Sequence, residues 1–271
     1  MPRIVYEDER LVALHKPARM HSAPGLGSGD LCAWAFERYP ELAKVGGGSS
    51  GRKQSEGGLL HRLDFETSGL VLFARDAEAF ASLLEQQARG AFYKEYIALS
   101  SPSLIAEPQG SSPIRGTPAG VESSVWTAAR VACAQREAGP SILSEALKAP
   151  AFRGGKCGIE CAFRPFGPKG ARVACLAELG KGAAAIYRSD ILGCDPIEAP
   201  GEGEGPQLEL RLALARGFRH QIRAQLAWIG LPIFGDPLYG GAPDERLRLY
   251  AIRLSFFHPA SGEHFSVSET A

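Results

Sequence analysis

His61-Arg62-Leu63-Asp64-Phe65-Glu66-Thr67-Ser68-Gly69 runs without a break into Leu70-Val71-Leu72-Phe73-Ala74, a polar cluster with one central carboxylate followed by an apolar run. The run from Leu70 to Ala74 predicts a buried strand, and Thr67, Ser68 and Gly69 supply turn chemistry and small side chains just ahead of it. Asp64 is therefore expected at the mouth of a pocket, where a carboxylate faces a ligand. An arbitrary Arg-x-Asp is more often a turn cap with a surface ion pair, so the rest of the chain decides how Asp64 is read.

Downstream, Asp76 is a good N-cap for a helix whose apolar positions Phe80, Leu83, Leu84 and Ala88 recur at helical spacing, with Gly90 placed to end it. Phe92 to Ser100 reads as a strand. Upstream, Ile4 to Tyr6 and Leu11 to His15 predict a hairpin around Glu7-Asp8-Glu9-Arg10, followed by a Gly- and Pro-rich loop from Lys16-Pro17 to Asp30. A short helix is expected over Leu31 to Tyr39. The Gly- and Ser-rich stretch from Val45 to Gly58 reads as a loop leading into His61. Gln207 to Leu214 alternates apolar and polar without a break, the clearest half-buried strand in the chain. Residues 102–206 are the least legible: Arg172 to Leu176 and Ala184 to Tyr187 are strand-like, and an insertion is expected near Glu122 to Pro150, with helical pattern at Ser141 to Lys148.

Strands and helices in this irregular order predict an α+β fold around a mixed, largely antiparallel sheet flanked by helices and loops. A chain of 271 residues with 45% apolar and 22% charged content suits one catalytic domain over 1–271 carrying an insertion around 102–206. No apolar run reaches membrane length and the first residues lack a signal pattern, so a soluble, cytoplasmic monomer is expected. The six cysteines include no Cys-x-x-Cys pair and read as reduced thiols rather than a zinc site.

The net charge is zero, which argues against a nonspecific nucleic-acid coat. Local distribution says more. Arg211, Arg216, Arg219, His220 and Arg223 occur with no acidic residue between them, a cluster able to hold several phosphates. Helical spacing would put Arg219 and Arg223 on one face beside His220, over an apolar stripe of Ile222, Leu226 and Ile229.

Ten consecutive positions, HRLDFETSGL, resemble the active-site motif of the RluA-type pseudouridine synthases of the RsuA/RluA-like family, in which the aspartate is the nucleophile. Further segments resemble the same family: Lys16-Pro17, Tyr93-Lys94-Glu95-Tyr96-Ile97-Ala98-Leu99, Arg216 to Arg223, Gly230 to Gly240, and the ending Leu249-Tyr250-Ala251 through Glu263. Many relatives begin with an S4-type RNA-binding domain, for which the position of Lys16-Pro17 leaves no room. The chain departs from the pattern at Ala18-Arg19-Met20-His21, a change expected to alter RNA contact, and at Phe218-Arg219, a change in the phosphate-binding surface.

The resemblance implies isomerisation of uridine to pseudouridine in ribosomal or transfer RNA, and the same α+β fold. That reaction breaks C1′–N1, turns the base and joins C1′ to C5 without net oxidation, so no cofactor and no metal are expected. It needs a carboxylate, a pocket that retains the detached uracil, and a group to remove the C5 proton. Asp64 is the expected nucleophile. Arg223 is expected to hold it ionised, and Tyr96 to stack on the uracil and help take the C5 proton. The target base must be flipped out of its stack. Arg62 is expected to fill the vacated space, its alternative being a surface ion pair with Glu66. Arg216 and Arg219 are expected on phosphates, His220 and Gln221 in hydrogen bonds at a helix start, Gly235 and Asp236 in a turn, and Leu238 and Tyr239 near the base. Two alternatives remain: a catalytically idle RNA-binding module using the same pocket, and a nucleoside glycosidase with Asp64 and Glu66 as paired acids.

Overall fold

A computed structural model describes residues 1–25, 29–46, 53–101, 158–176, 179, 185–197 and 207–271. The helix expected at 141–148 and the insertion placed at 122–150 lie outside the described residues. The chain divides into two compact units, the first comprising Met1–Tyr96 and Tyr250–Ala271 and the second Ile97–Leu249.

In the first unit, β1 (Arg3–Glu7) and β2 (Leu11–Lys16) form the expected antiparallel hairpin. Asp8 builds its turn: one carboxylate oxygen accepts from the amides of Arg10 and Leu11, both at 2.7 Å, and the other from Tyr6 Oη. Strand β3 (Ser68–Ala74) lies antiparallel to β2 and is buried at every position, which explains its unbroken apolar run. Its start pairs parallel with β9 (Leu249–Phe257), Ser68 facing Tyr250 and Gly69 facing Ala251, and β10 (His264–Ser268) returns antiparallel on β9. The mixed, mostly antiparallel pairing is the expected one. Gly69 has φ of 119°, and a Cβ there would lie 2.2 Å from the Ala251 carbonyl oxygen, so the close approach of β9 requires glycine.

Helices α1 (Leu31–Arg38) and α2 (Ala77–Ala88) appear where periodicity and caps place them. Asp30 and Asp76 accept from Ala33 N and Ala79 N, both at 2.9 Å. The α2 face bearing Phe80 and Leu83 joins Leu11, Leu70, Leu72, Phe92 and Phe256 in the unit's core, with Phe92 and Phe256 stacked at 5.3 Å. Full burial of such side chains contributes roughly 1.5–3 kcal/mol each. Strand β4 (Tyr93–Ser100) follows, and the boundary between units falls after its Tyr96.

The second unit contains an antiparallel sheet in the order β8-β7-β5-β6, made from β8 (Gln207–Leu214), β7 (Ile186–Ile197), β5 (Gly158–Phe166) and β6 (Arg172–Leu176). Helix α3 (Gln221–Trp228) is fixed to this sheet by two glutamines. Gln221 Nε2 donates to Arg188 O and Ser189 Oγ, both at 3.0 Å, and the fully buried Gln225 donates to Ile159 O and Tyr187 O. Among the described residues no helix is long and apolar enough to cross a membrane. The described cysteines Cys32, Cys161, Cys175 and Cys194 are free thiols.

Candidate active site

Asp64 stands in the turn just before β3, where the Thr67 amide donates to its carbonyl at 3.1 Å. Asp64 and Glu66 thus lie on a bend rather than on a strand, so the same-side geometry that a paired-acid glycosidase would draw on is absent. The neighbouring carbonyl of Phe65 collects three donors: Arg19 N at 2.8 Å, Met20 N at 3.3 Å and Lys16 Nζ at 3.3 Å. Lys16 is completely buried and also donates to Pro17 O at 2.9 Å and Met20 O at 2.8 Å. Its ammonium therefore ties the loop after β2 to the Asp64 turn. Burial pulls the Lys16 pKa down to about 8, against the opposing charges of Asp64 and Glu66.

Tyr96, on β4 within the same unit, is 7% exposed. Burial, and then the negative charge of Asp64, push its phenol far above the ordinary value. The first unit therefore brings together the carboxylate and the phenol singled out by sequence.

Arg62 projects with 62% of its side chain exposed and pairs with Glu56 at 3.3 Å, not with Glu66. Glu66 instead faces Arg19 at 3.6 Å. The change of partner follows from the 3-10 turn Gln54–Glu56, which brings a nearly buried carboxylate up to Arg62.

In the second unit the basic cluster differs from its expected layout. The helix begins at Gln221, so Arg219 and His220 occupy the preceding turn and do not share a helical face with Arg223. Arg223 is 3% exposed and faces inward, donating from Nε and Nη2 to the two carboxylate oxygens of Asp236 at 2.7 and 2.8 Å. Ile222, Leu226 and Ile229 are buried as expected, but Gln221, Ala224, Gln225 and Trp228 are buried too, so α3 is enclosed nearly all round. Within the cluster, Arg211, Arg216 and Arg219 are exposed. Arg216 sits 5.3 Å over the Tyr187 ring, and Arg219 donates to Gly170 O and Arg172 O.

The helix start is locked as expected. Gln221 Oε1 accepts from Phe218 N at 2.9 Å, and His220, held at φ of 55°, places Nδ1 3.1 Å from Tyr239 Oη. Tyr239 Oη also accepts from Val173 N at 2.9 Å. Asp236 shapes the turn by accepting from Leu238 N and Tyr239 N, and half-buried Leu238 offers its carbonyl to Arg172. Among the described residues no group of three or more His, Cys, Asp or Glu is placed to hold a metal ion.

Residues 10–228 match the family described as RNA pseudouridylate synthase. The chain belongs to that family. Its RluA-type character is seen in similarity to the ribosomal large subunit pseudouridine synthase D of Xanthomonas campestris pv. campestris, 25% identical over 283 residues and covering 98% of this chain. The protein of the same name from Escherichia coli strain K12 is 27% identical over 277 residues, covering 96% of this chain. An uncharacterized RNA pseudouridine synthase of Chloroflexus aurantiacus is 31% identical over 254 residues, covering 92% of this chain and 59% of its own length. The chain spans 64% of the length of the two synthase D relatives. The fold is that of the solved pseudouridine synthases. Human RNA pseudouridylate synthase domain containing 1 matches 100% of this chain and 84% of its own at a TM-score of 0.60 and 18% identity. Human RNA pseudouridylate synthase domain containing 4 matches 98% of this chain and 87% of its own at 0.55 and 16% identity.

One residue in each unit is held more firmly than its place in the sequence implies. Lys16 extends the buried face of Val12 and Leu14 by two residues, a position at which a lysine must find buried acceptors. Asp236, read as a turn residue, is also the inward anchor of Arg223; its partner lies 13 residues away, beyond the reach of local pattern.

Proposed function

We propose that this chain isomerises uridine to pseudouridine in RNA, with Asp64 as nucleophile. The observation that carries the reading is Asp64 set in a clamped turn beside the buried phenol of Tyr96, inside a ten-residue stretch of the family motif. Asp64 attacks or assists at the sugar or base, the C1′–N1 bond breaks, the turned uracil joins C1′ through C5, and the C5 proton leaves with Tyr96 helping to take it while N1 gains one. Tyr96 stacks on the uracil. We retain Arg223 as the third catalytic group, since a guanidinium locked by two bonds to Asp236 is a pre-oriented cation. The target uridine is flipped out at a cost of roughly a few kcal/mol, and Arg62 steers it, a role its exposed side chain supports. Arg216 and Arg219 take phosphates, and Leu238 packs near the base. The substrate we favour is ribosomal RNA, because relatives over nearly the whole chain are named for the large ribosomal subunit. The protein acts in the cytoplasm as a monomer.

The test is chemical mapping of pseudouridine in ribosomal and transfer RNA from cells lacking the gene, complemented with the wild-type or an Asp64→Ala copy. A site restored by the wild type and not by the variant is expected, with RNA binding retained by the purified variant. Undiminished isomerisation by Asp64→Ala would remove Asp64 as the nucleophile.

A further inference from the structure

Phe65 follows the proposed nucleophile directly and leaves 41% of its surface in water, although an aromatic ring is ordinarily driven to cover itself. Its backbone is rigid, since the Phe65 carbonyl accepts from Arg19 N, Met20 N and the buried Lys16 ammonium. Its ring meets the imidazole of His21 at 4.6 Å between centroids, tilted by 39°. Both rings thus stand on one clamped pair of segments, the Asp64 turn and the loop after β2. Arg19, held at φ of 60° on that loop, is 66% exposed while its partner Glu66 is 34% exposed, so the outermost charge there is the guanidinium.

An exposed phenyl ring backed by a half-buried imidazole on a fixed backbone, bordered by an outward cation, is the chemistry that holds an unpaired nucleobase and its phosphate. We propose that Phe65 and His21 form a stacking platform for a base adjoining the target uridine, with Arg19 on the flanking phosphate. The proposal rests on the isomerase reading for its substrate. It assigns Phe65 and His21 to recognition of the RNA and leaves the reacting atoms to Asp64. One stacked base is worth roughly 1–3 kcal/mol, or about 5- to 150-fold in affinity.

Two measurements test it. The first follows release of tritium from large-subunit ribosomal RNA transcribed with uridine tritiated at C5. Phe65→Ala is expected to raise KM by on the order of tenfold with a much smaller change in kcat, Phe65→Trp to restore KM, and His21→Ala to raise it less. The second follows anisotropy of a fluorescent oligouridylate and of an abasic oligomer of equal length. Phe65→Ala should weaken the oligouridylate by a similar factor and leave the abasic oligomer unaffected. An unchanged KM together with unchanged oligouridylate binding in Phe65→Ala would overturn the platform. Equal weakening of both oligomers would also overturn it, since the ring would then be acting on the backbone or the fold. Absence of tritium release by the wild type on every RNA tried would overturn the isomerase reading instead, while the oligomer comparison still decides the platform.

Discussion

At the scale of single residues, the Asp64 turn depends on a lysine that strand alternation puts on the buried face of β2. Lys16 is completely buried, and burial holds its pKa at about 8, below its ordinary 10.5. Between those two values the unfolded chain binds more protons than the folded one, so this group's contribution to stability rises with pH and is least favourable below the folded value. Measured by denaturant unfolding, the wild type is expected to gain about 2 kcal/mol on Lys16→Met between about pH 7.5 and about pH 10. A pH-independent difference would show that Lys16 keeps its ordinary affinity for protons in the folded state. The lysine itself was visible in the sequence next to Pro17, whereas its three carbonyl acceptors were not. They belong to Pro17, Met20 and Phe65, and the last is 49 residues away.

At the scale of elements, legibility followed periodicity. The hairpin β1–β2, helix α2 with its Asp76 cap, and the alternating strand β8 were readable because each repeats its own signal over several residues. Strand β7 was readable only at its start: its pairing with β8 shifts register between Ile191 and Gly193, and glycine interrupts the apolar pattern there. Strand β5 carries Pro165 opposite Val173, a residue that demotes a strand when seen in sequence alone. Helix α3 was located but its exposure misjudged, because a run rich in Arg, His and Gln suggests a solvated face. Buried partners enclose it instead, Asp236 for Arg223 and backbone carbonyls for Gln225. Asp236→Ala should therefore take two charge-assisted hydrogen bonds from a buried guanidinium and cost about 3–5 kcal/mol. The double change Arg223→Met with Asp236→Leu should recover most of that loss in thermal unfolding and still leave the enzyme inactive. Activity in the double variant would remove Arg223 from the catalytic set.

At the scale of the whole molecule, the first unit is closed by the far end of the chain. Strands β9 and β10 return from Tyr250 onward to supply Leu254, Phe256 and Val267 to a core otherwise built from the first 96 residues. They also supply the parallel pairing at Ser68 and Gly69, directly after the Asp64 turn. The proposed nucleophile is thus held by residues more than 180 positions downstream, which explains why the motif around Asp64 identifies the chemistry but cannot by itself fix the geometry. A chain ended after Leu249 loses these side chains and leaves one edge of β3 unpaired where Gly69 admits the Ala251 carbonyl. Each large core side chain removed typically costs about 3–5 kcal/mol, and folded domains hold only about 5–15 kcal/mol in reserve. The first unit of the shortened protein is therefore expected to be unfolded, with tryptic cleavage at Arg75 and Arg89 far faster than in the intact chain. Phe256→Ala alone should lower stability by about 3–5 kcal/mol without changing where trypsin first cuts. Equal protection of Arg75 and Arg89 in shortened and intact chains would mean that β1, β2, β3 and α2 fold without the returning strands, and that the Asp64 turn owes its shape to its bonds with the loop after β2.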